Sequence, residues 1–441
     1  MRLSKRATTL RKGLALLLAA GLASTVAACS GSDSGANADG PAKGAIQLAY
    51  WGSSTRVDKT NKILADFKKE YPDVSVNPSV TDFGTYFQKL NTQAASKSMP
   101  CVAGMQTRQL NDYTSNQTLV PLDDLVKSGK LDMKDVPKSI LDSGRGPDGK
   151  LYMIPYGVAW NAFLVNKTVA DKYDIPDLKE GYTWDEWLAW LKQAKSKLPK
   201  DVAPILEQGG NEALFSAYVL SNGQKMFNDQ GKVGFSKQSL TEYWTMWENL
   251  RRTGLTNSMQ NAASEPDQIE QHAVIAGKVL MQGEAGNQYV AAIAAAPDVK
   301  LTEHAFPSGS SGLGNMFFTS GWSIPKNCDN QAAAAAFIDY WTNNDNAAKI
   351  YASDNGAVAN KRQLQDQIDN PSSPGLEVVL KNYQYILSED VPNPVIPPGY
   401  NASFETSFER EYENVAFGKK SIKQAVDDFF AAANSTMGNK S

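Results

Sequence analysis

Histidine and cysteine are scarce in this chain: among 441 residues there are two of the first and three of the second. His272 and His304 are too few for most zinc sites, and a Ser-His or Cys-His catalytic unit becomes unlikely with them. No Gly-rich phosphate loop and no EF-hand spacing occurs, so neither cofactor nor metal is expected. Clustered basic charge is missing too. Lys and Arg number 44 against 47 Asp and Glu, which argues against nucleic acid as a partner. A bridge between Cys101 and Cys328 is permitted outside the cell, but nothing in their spacing asks for one, and two separate thiols are expected.

What the chain does have begins at its N-terminus. Arg2, Lys5, Arg6, Arg11 and Lys12 precede an apolar run, Gly13 to Ala28, with no acidic residue among them. A basic start, a short apolar stretch and small residues at its end form an export signal over residues 1–28. Gly, Ser and Thr dilute the run, which is too short for a transmembrane helix. Val26-Ala27-Ala28-Cys29 resembles a bacterial lipobox, and this implies that Cys29 is lipidated. Residues 29–44 hold no aromatic and no large aliphatic side chain, so they read as a flexible tether. The expected address is the extracellular face of the cell membrane, reached through a lipid anchor. The remaining chain of about 400 residues exceeds one comfortable hydrophobic core, and two lobes are expected.

Ile46-Gln-Leu-Ala-Tyr50 reads as a strand that ends at Trp51-Gly52-Ser53-Ser54. Ile63, Leu64 and Phe67 then recur at helical spacing, and Val74-Ser-Val76 returns to strand, which makes a βαβ unit and implies parallel pairing. A helix follows at Tyr86–Lys97, a strand at Cys101–Met105 and a helix from about Leu110. Thr183-Trp-Asp-Glu186 has the capping-box form and opens a helix through Lys197. Trp184, Trp187, Trp190, Trp244 and Trp247 lie on apolar helical stripes and are assigned to the core. Gly321–Pro325 reads as a strand, and Gln331–Asn343, 376–388 and 405–435 as helices.

Several of these segments, taken in order, resemble the extracellular solute-binding proteins of family 1, the maltose-binding type of sugar-importing ABC transporters. They are the opening strand with Trp51-Gly52 and Tyr71-Pro-Asp-Val74; Leu119-Val-Pro-Leu-Asp-Asp-Leu125; Asp148-Gly-Lys-Leu-Tyr-Met-Ile-Pro-Tyr156 with Thr183-Trp-Asp-Glu-Trp187; and Gly321-Trp-Ser-Ile-Pro-Lys-Asn327 with Asn355-Gly-Ala357. Departures occur at Pro100-Cys101-Val102 and at Gly283-Glu-Ala-Gly-Asn287, the latter in a region that meets sugar in relatives. The resemblance implies an α/β, periplasmic-binding-protein-like fold of two lobes joined by crossing strands. Crossings are expected near Tyr156–Trp160, Phe317–Trp322 and Asn355, giving an N-lobe of 45–157 plus 320–355 and a C-lobe of 158–319 plus 356–435. It further implies an oligosaccharide ligand, ABC permease subunits as partners and a monomeric receptor without enzymatic turnover.

A sugar-binding cleft needs flat rings for the apolar faces and a few polar groups for the hydroxyls. Trp51, Ser53 and Ser54 stand at the C-terminal end of a strand, where open α/β sheets bind ligand. Gln106, Arg108 and Asn111 follow another strand into a polar stretch, and Tyr86 opens a helix, as core or as ligand contact. Trp160-Asn161 sits at the first expected crossing, suited to stacking beside an amide. Glu207-Gln208 precedes Gly209-Gly210 in a loop that the resemblance places near ligand. Glu284 and Asn287 are bracketed by glycines; Trp322 is assigned to stacking, and Asn355 and Tyr400 complete the set. A lipoprotein glycosidase would need two carboxylates at a fixed separation, which nothing in the sequence marks. A surface adhesion lipoprotein would need no closing hinge.

Overall fold

Apolar side chains alternate over Ile46-Gln47-Leu48 and then run on to Trp51, and this stretch forms strand β1 (Gly44–Trp51) of a computed structural model. The structure describes residues 39–266, 268–389, 391 and 395–437. Cys29 and the export signal lie outside the described residues. After β1 the helix Ser54–Glu70 buries Thr60, Ile63 and Phe67, and the chain returns in β2 (Val74–Thr81), parallel to β1. On the other edge of β1, β3 (Val102–Gln106) is also parallel. The βαβ reading of the sequence is thus realised.

β4 (Ile154–Asn166) is the spine of the molecule: 13 residues, buried along almost all its length. Its first half pairs antiparallel with β10 (Phe317–Ser323), and Gly157 and Val158 also meet β11 (Ala357–Val358). Its second half, from Asn161, pairs with β6 (Val279–Ala285) and β7 (Leu301–His304), and β6 carries β5 (Ala203–Ile205) at its far edge. A small hairpin, β8 (Ser308–Gly309) with β9 (Gly312–Leu313), stands apart. The strand order is β2-β1-β3-β10-β4-β6-β5, with β7 and β11 branching from β4. One strand therefore serves two half-sheets, each covered by helices. Gly157 is needed in β4 because a Cβ there would lie 2.5 Å from the Asn355 carbonyl oxygen.

Two large apolar clusters fill the interior, the first running through β4 into both half-sheets. One gathers Ile63, Phe67, Trp322, Phe337 and Trp341; the other gathers Trp184, Trp187, Trp190, Trp244 and Trp247, as their spacing predicts. Thr183 and Glu186 form the reciprocal capping box at the start of the helix Trp184–Lys197.

Cys101 and Cys328 form a disulfide, Cα to Cα 4.7 Å, in place of the two free thiols expected from sequence. The reason is strand pairing. Cys101 immediately precedes β3 and Cys328 follows β10, and Ser323 of β10 lies opposite Ala103 of β3. A register formed between segments 227 residues apart brings the sulfurs together, and local spacing cannot reveal it. Among the described residues no helix is long and apolar enough to cross a membrane.

Candidate functional site

The helix Thr107–Ser115 starts directly where β3 ends, so Gln106 and Arg108 stand at the carboxyl end of a parallel strand pair. Arg108 is the centre of a polar cluster between the two halves. Its Nε donates to Gln106 Oε1 at 2.6 Å and its Nη1 to Glu212 Oε1 at 2.9 Å. Nη1 also lies 2.9 Å from Glu405 Oε1, and the guanidinium carbon sits 4.6 Å from the Phe318 ring centre and 5.8 Å from that of Phe83. Glu212 opens the helix Glu212–Ser221, where the helix N-terminus favours an anion, and Glu405 lies on the π-helix Asn401–Phe408. Gln109 Nε2 donates to Glu405 Oε2 at 3.0 Å, and Asn401 donates to the same oxygen.

Burial pushes the Glu212 carboxyl up, Arg108 opposes this, and the like charge of Glu405 adds to the rise. Arg108 is held protonated: burial works against its charge, but Glu405 and Glu212 outweigh it. Two further contacts staple the same helix to the segment before the π-helix. Asn111 Nδ2 donates to the Ile396 carbonyl, and the Gly399 amide donates to Asp112 Oδ1 at 2.8 Å.

A second junction lies around Asp354, in the turn before β11. Arg56 Nε meets Asp354 Oδ2 at 2.5 Å and Lys59 Nζ meets Oδ1 at 3.0 Å. Burial alone would raise this carboxyl, but the two cations hold it below the usual range. Arg56 also donates to the Trp51 carbonyl at 3.0 Å, and Asn287 donates to the Asp354 carbonyl at 3.0 Å. Trp51, Asn287 and Asn355 are thereby brought to one place, with Ser53 and Ser54 exposed beside them.

Other candidates are used internally. Trp322 is 1% exposed and packs between Tyr156, Phe337 and Trp341, so its assignment to stacking is corrected. Trp160 is fully buried against Tyr383, and its indole N–H donates to Glu303 and Asn382, both at 2.9 Å. Both rings lie on strands with neighbours on each side and helices above, which leaves no free face. Tyr86 donates to the carbonyls of Ala49 and Gly104 and ties β1 to β3; Tyr400 is buried against Phe404. Glu207 accepts from Tyr412 at 2.6 Å and Thr256 at 2.9 Å, and Gln208 pairs with both backbone groups of Gly283. Glu284 meets His272 Nδ1 at 2.9 Å, and the half-buried Asn161 accepts from Asn315 through its carbonyl.

Glu212, Glu405, Gln109, Phe83 and Phe318 were missed by the sequence reading. Glu212 carried one usable signal, the N-cap Asn211 just before it, which accepts from the amides of Ala213 and Leu214.

A family model described as bacterial extracellular solute-binding protein matches residues 51–348. The chain belongs to that family. Its members are the substrate-binding components of ABC transporters, not enzymes, and they work outside the cytoplasm. A putative binding protein of Brucella abortus is 23% identical over 313 residues, covering 68% of this chain and 72% of the relative. Among solved structures, a substrate-binding protein of Listeria monocytogenes in complex with cycloalternan superposes with TM-score 0.76 at 21% identity, over 89% of this chain and 98% of the other. A periplasmic oligogalacturonide-binding protein of Yersinia enterocolitica, in complex with saturated digalacturonic acid, gives TM-score 0.77 at 19% identity, over 88% and 97%. The solute-binding fold is thus shared at low identity.

Proposed function

We propose that this solute-binding protein is a lipoprotein, anchored through Cys29 at the outer face of the membrane. It captures an oligosaccharide between an N-lobe (45–157 plus 320–355) and a C-lobe (158–319 plus 356–435) and delivers it to an ABC permease. The observation that carries the reading is the position of Arg108, which projects from the end of β3 and meets Glu212 and Glu405 on the opposite half. A ligand held there touches both lobes at once, and this couples binding to hinge closure. The half-buried Phe83 flanks the same point, and an apolar face beside a few polar groups suits a sugar ring. Around it Trp51, Ser53, Ser54, Gln106 and Asn111 are contributed by the N-lobe. Asn287 adds a C-lobe contact through Asp354, and Asn355 lies at a crossing. Two solved neighbours were captured with saccharides, which supports a glycan as the ligand class.

The mature protein is to be titrated against a panel of storage, plant and host oligosaccharides by calorimetry, with products followed by chromatography. Saturable binding without products is the expected result. Absence of binding to every glycan, or release of shorter sugars, overturns the reading.

A further inference from the structure

The cluster around Arg108 is short of positive charge. Glu212 and Glu405 face a single guanidinium, and the three side chains retain only 13, 16 and 20% of their exposure. Gln109 is 3% exposed, and the amide that reaches Glu405 leaves its own Oε1 without a partner. Glu405 Oε1 is likewise buried; it is ion-paired with Arg108 Nη1 at 2.9 Å, outside hydrogen-bond geometry, and has room for a better-aligned donor. A buried acceptor without a donor is costly, so these oxygens mark where a ligand's donors belong. Two carboxyls share one cation in a place largely closed to water, where Coulomb interactions are strong and a second cation is favoured.

We propose that the captured glycan carries a protonated amine, docked against Glu405, Glu212 and the Gln109 carbonyl, and that the same cluster rejects acidic sugars. The proposal rests on the glycan-capture reading and narrows it. An ammonium offers three donors and a charge that completes the ion-pair count, whereas a hydroxyl offers one donor and no charge. A uronate would bring a third carboxylate to the pair.

The test uses the mature wild-type protein and saccharides that differ in charge, the amine and acetamide sets sharing one backbone. Glucosamine oligomers, at a pH below the amine pKa, are compared by calorimetry with N-acetylglucosamine oligomers and with galacturonic acid oligomers. Glucosamine oligomers are expected to bind about 10- to 100-fold more tightly than the neutral set, the range of a charge-assisted hydrogen bond. Galacturonate oligomers are expected not to bind. Glu405→Gln and Glu212→Gln should each bring the ratio of glucosamine to N-acetylglucosamine affinity down toward one, whatever they do to glycan binding as a whole. Equal or tighter binding of galacturonate, or an amine preference that survives both substitutions, overturns the proposal while leaving glycan capture standing. Failure of all glycans to bind removes both.

Discussion

Glu303 shows how a single buried side chain sets a pH dependence. It is 6% exposed, accepts from the Trp160 indole at one oxygen, and has no partner for the other. Burial pushes its carboxyl well above the ordinary range, Trp160 acts in the opposite direction, and Glu180 adds repulsion. A carboxyl whose folded pKa is raised stabilises the fold below the unfolded value and loses that contribution as pH rises through the folded one. Glu303→Gln should therefore match wild type in acid and melt higher at alkaline pH, by ~1–3 kcal/mol, the cost of an unsatisfied buried acceptor. Parallel melting curves across pH would show that the Glu303 carboxyl has the same pKa folded and unfolded. His272 runs the same way, but because its charged form is the favoured one. Burial disfavours its charge, but the hydrogen bond and charge of Glu284, helped by Glu265, raise its pKa overall. Its contribution is complete below the ordinary imidazole value of about 6.5 and is lost as pH rises through the folded value. In a proton NMR titration, Glu284→Gln should lower the His272 midpoint; an unmoved midpoint would exclude Glu284 as the cause.

Elements defined by local pattern were legible in the sequence, and those defined by distant pairing were not. The helix after Thr183 and the helix Gln331–Asn343 follow from capping and periodicity, which neighbours along the chain supply. Trp160 and Trp322 read as cleft residues because a strand near a crossing has an open face only if nothing packs on it. Tyr383 in one case, and Phe337 and Trp341 in the other, come from helices far along the chain and cover those faces. Arg108 was legible because it follows a strand directly, whereas its partners Glu212 and Glu405 sit on elements that only the fold brings near. The disulfide belongs to the same class of long-range fact. It pins the start of β3 to the end of β10 across 227 residues. Loop-closure entropy for a bridge of this span amounts to roughly 5 kcal/mol, and measured losses reach 2–5. The double substitution Cys101→Ser with Cys328→Ser should lower unfolding stability by about 3–5 kcal/mol in chemical denaturation. A change below about 1 kcal/mol would mean that the β3–β10 pairing holds without it.

At the scale of the molecule, β4 crosses from one half-sheet to the other, and the halves meet again through side chains at Arg108 and at Asp354. These two junctions differ in kind. Asp354 is neutralised from its own side by Arg56 and Lys59, and the Asn287 hydrogen bond reaches across. At the other junction the cation is on one half and both carboxylates are on the other, so ion-pair energy itself draws the halves together. Removing one partner of such a buried set leaves uncompensated charge at a cost of about 3–5 kcal/mol. The molecule can relieve that cost by separating the halves and admitting water to Glu212 and Glu405. Arg108→Ala should therefore shift the ligand-free protein toward an open form, with a larger radius of gyration in solution scattering than wild type. The shift should shrink when a tight-binding glycan is added, since the ligand then bridges the halves in place of the guanidinium. If the variant and wild type scatter identically without ligand, Arg108 is not what holds the halves together, and the contacts of Gln109, Asn111 and Asp112, the junction at Asp354 and the crossing strands suffice.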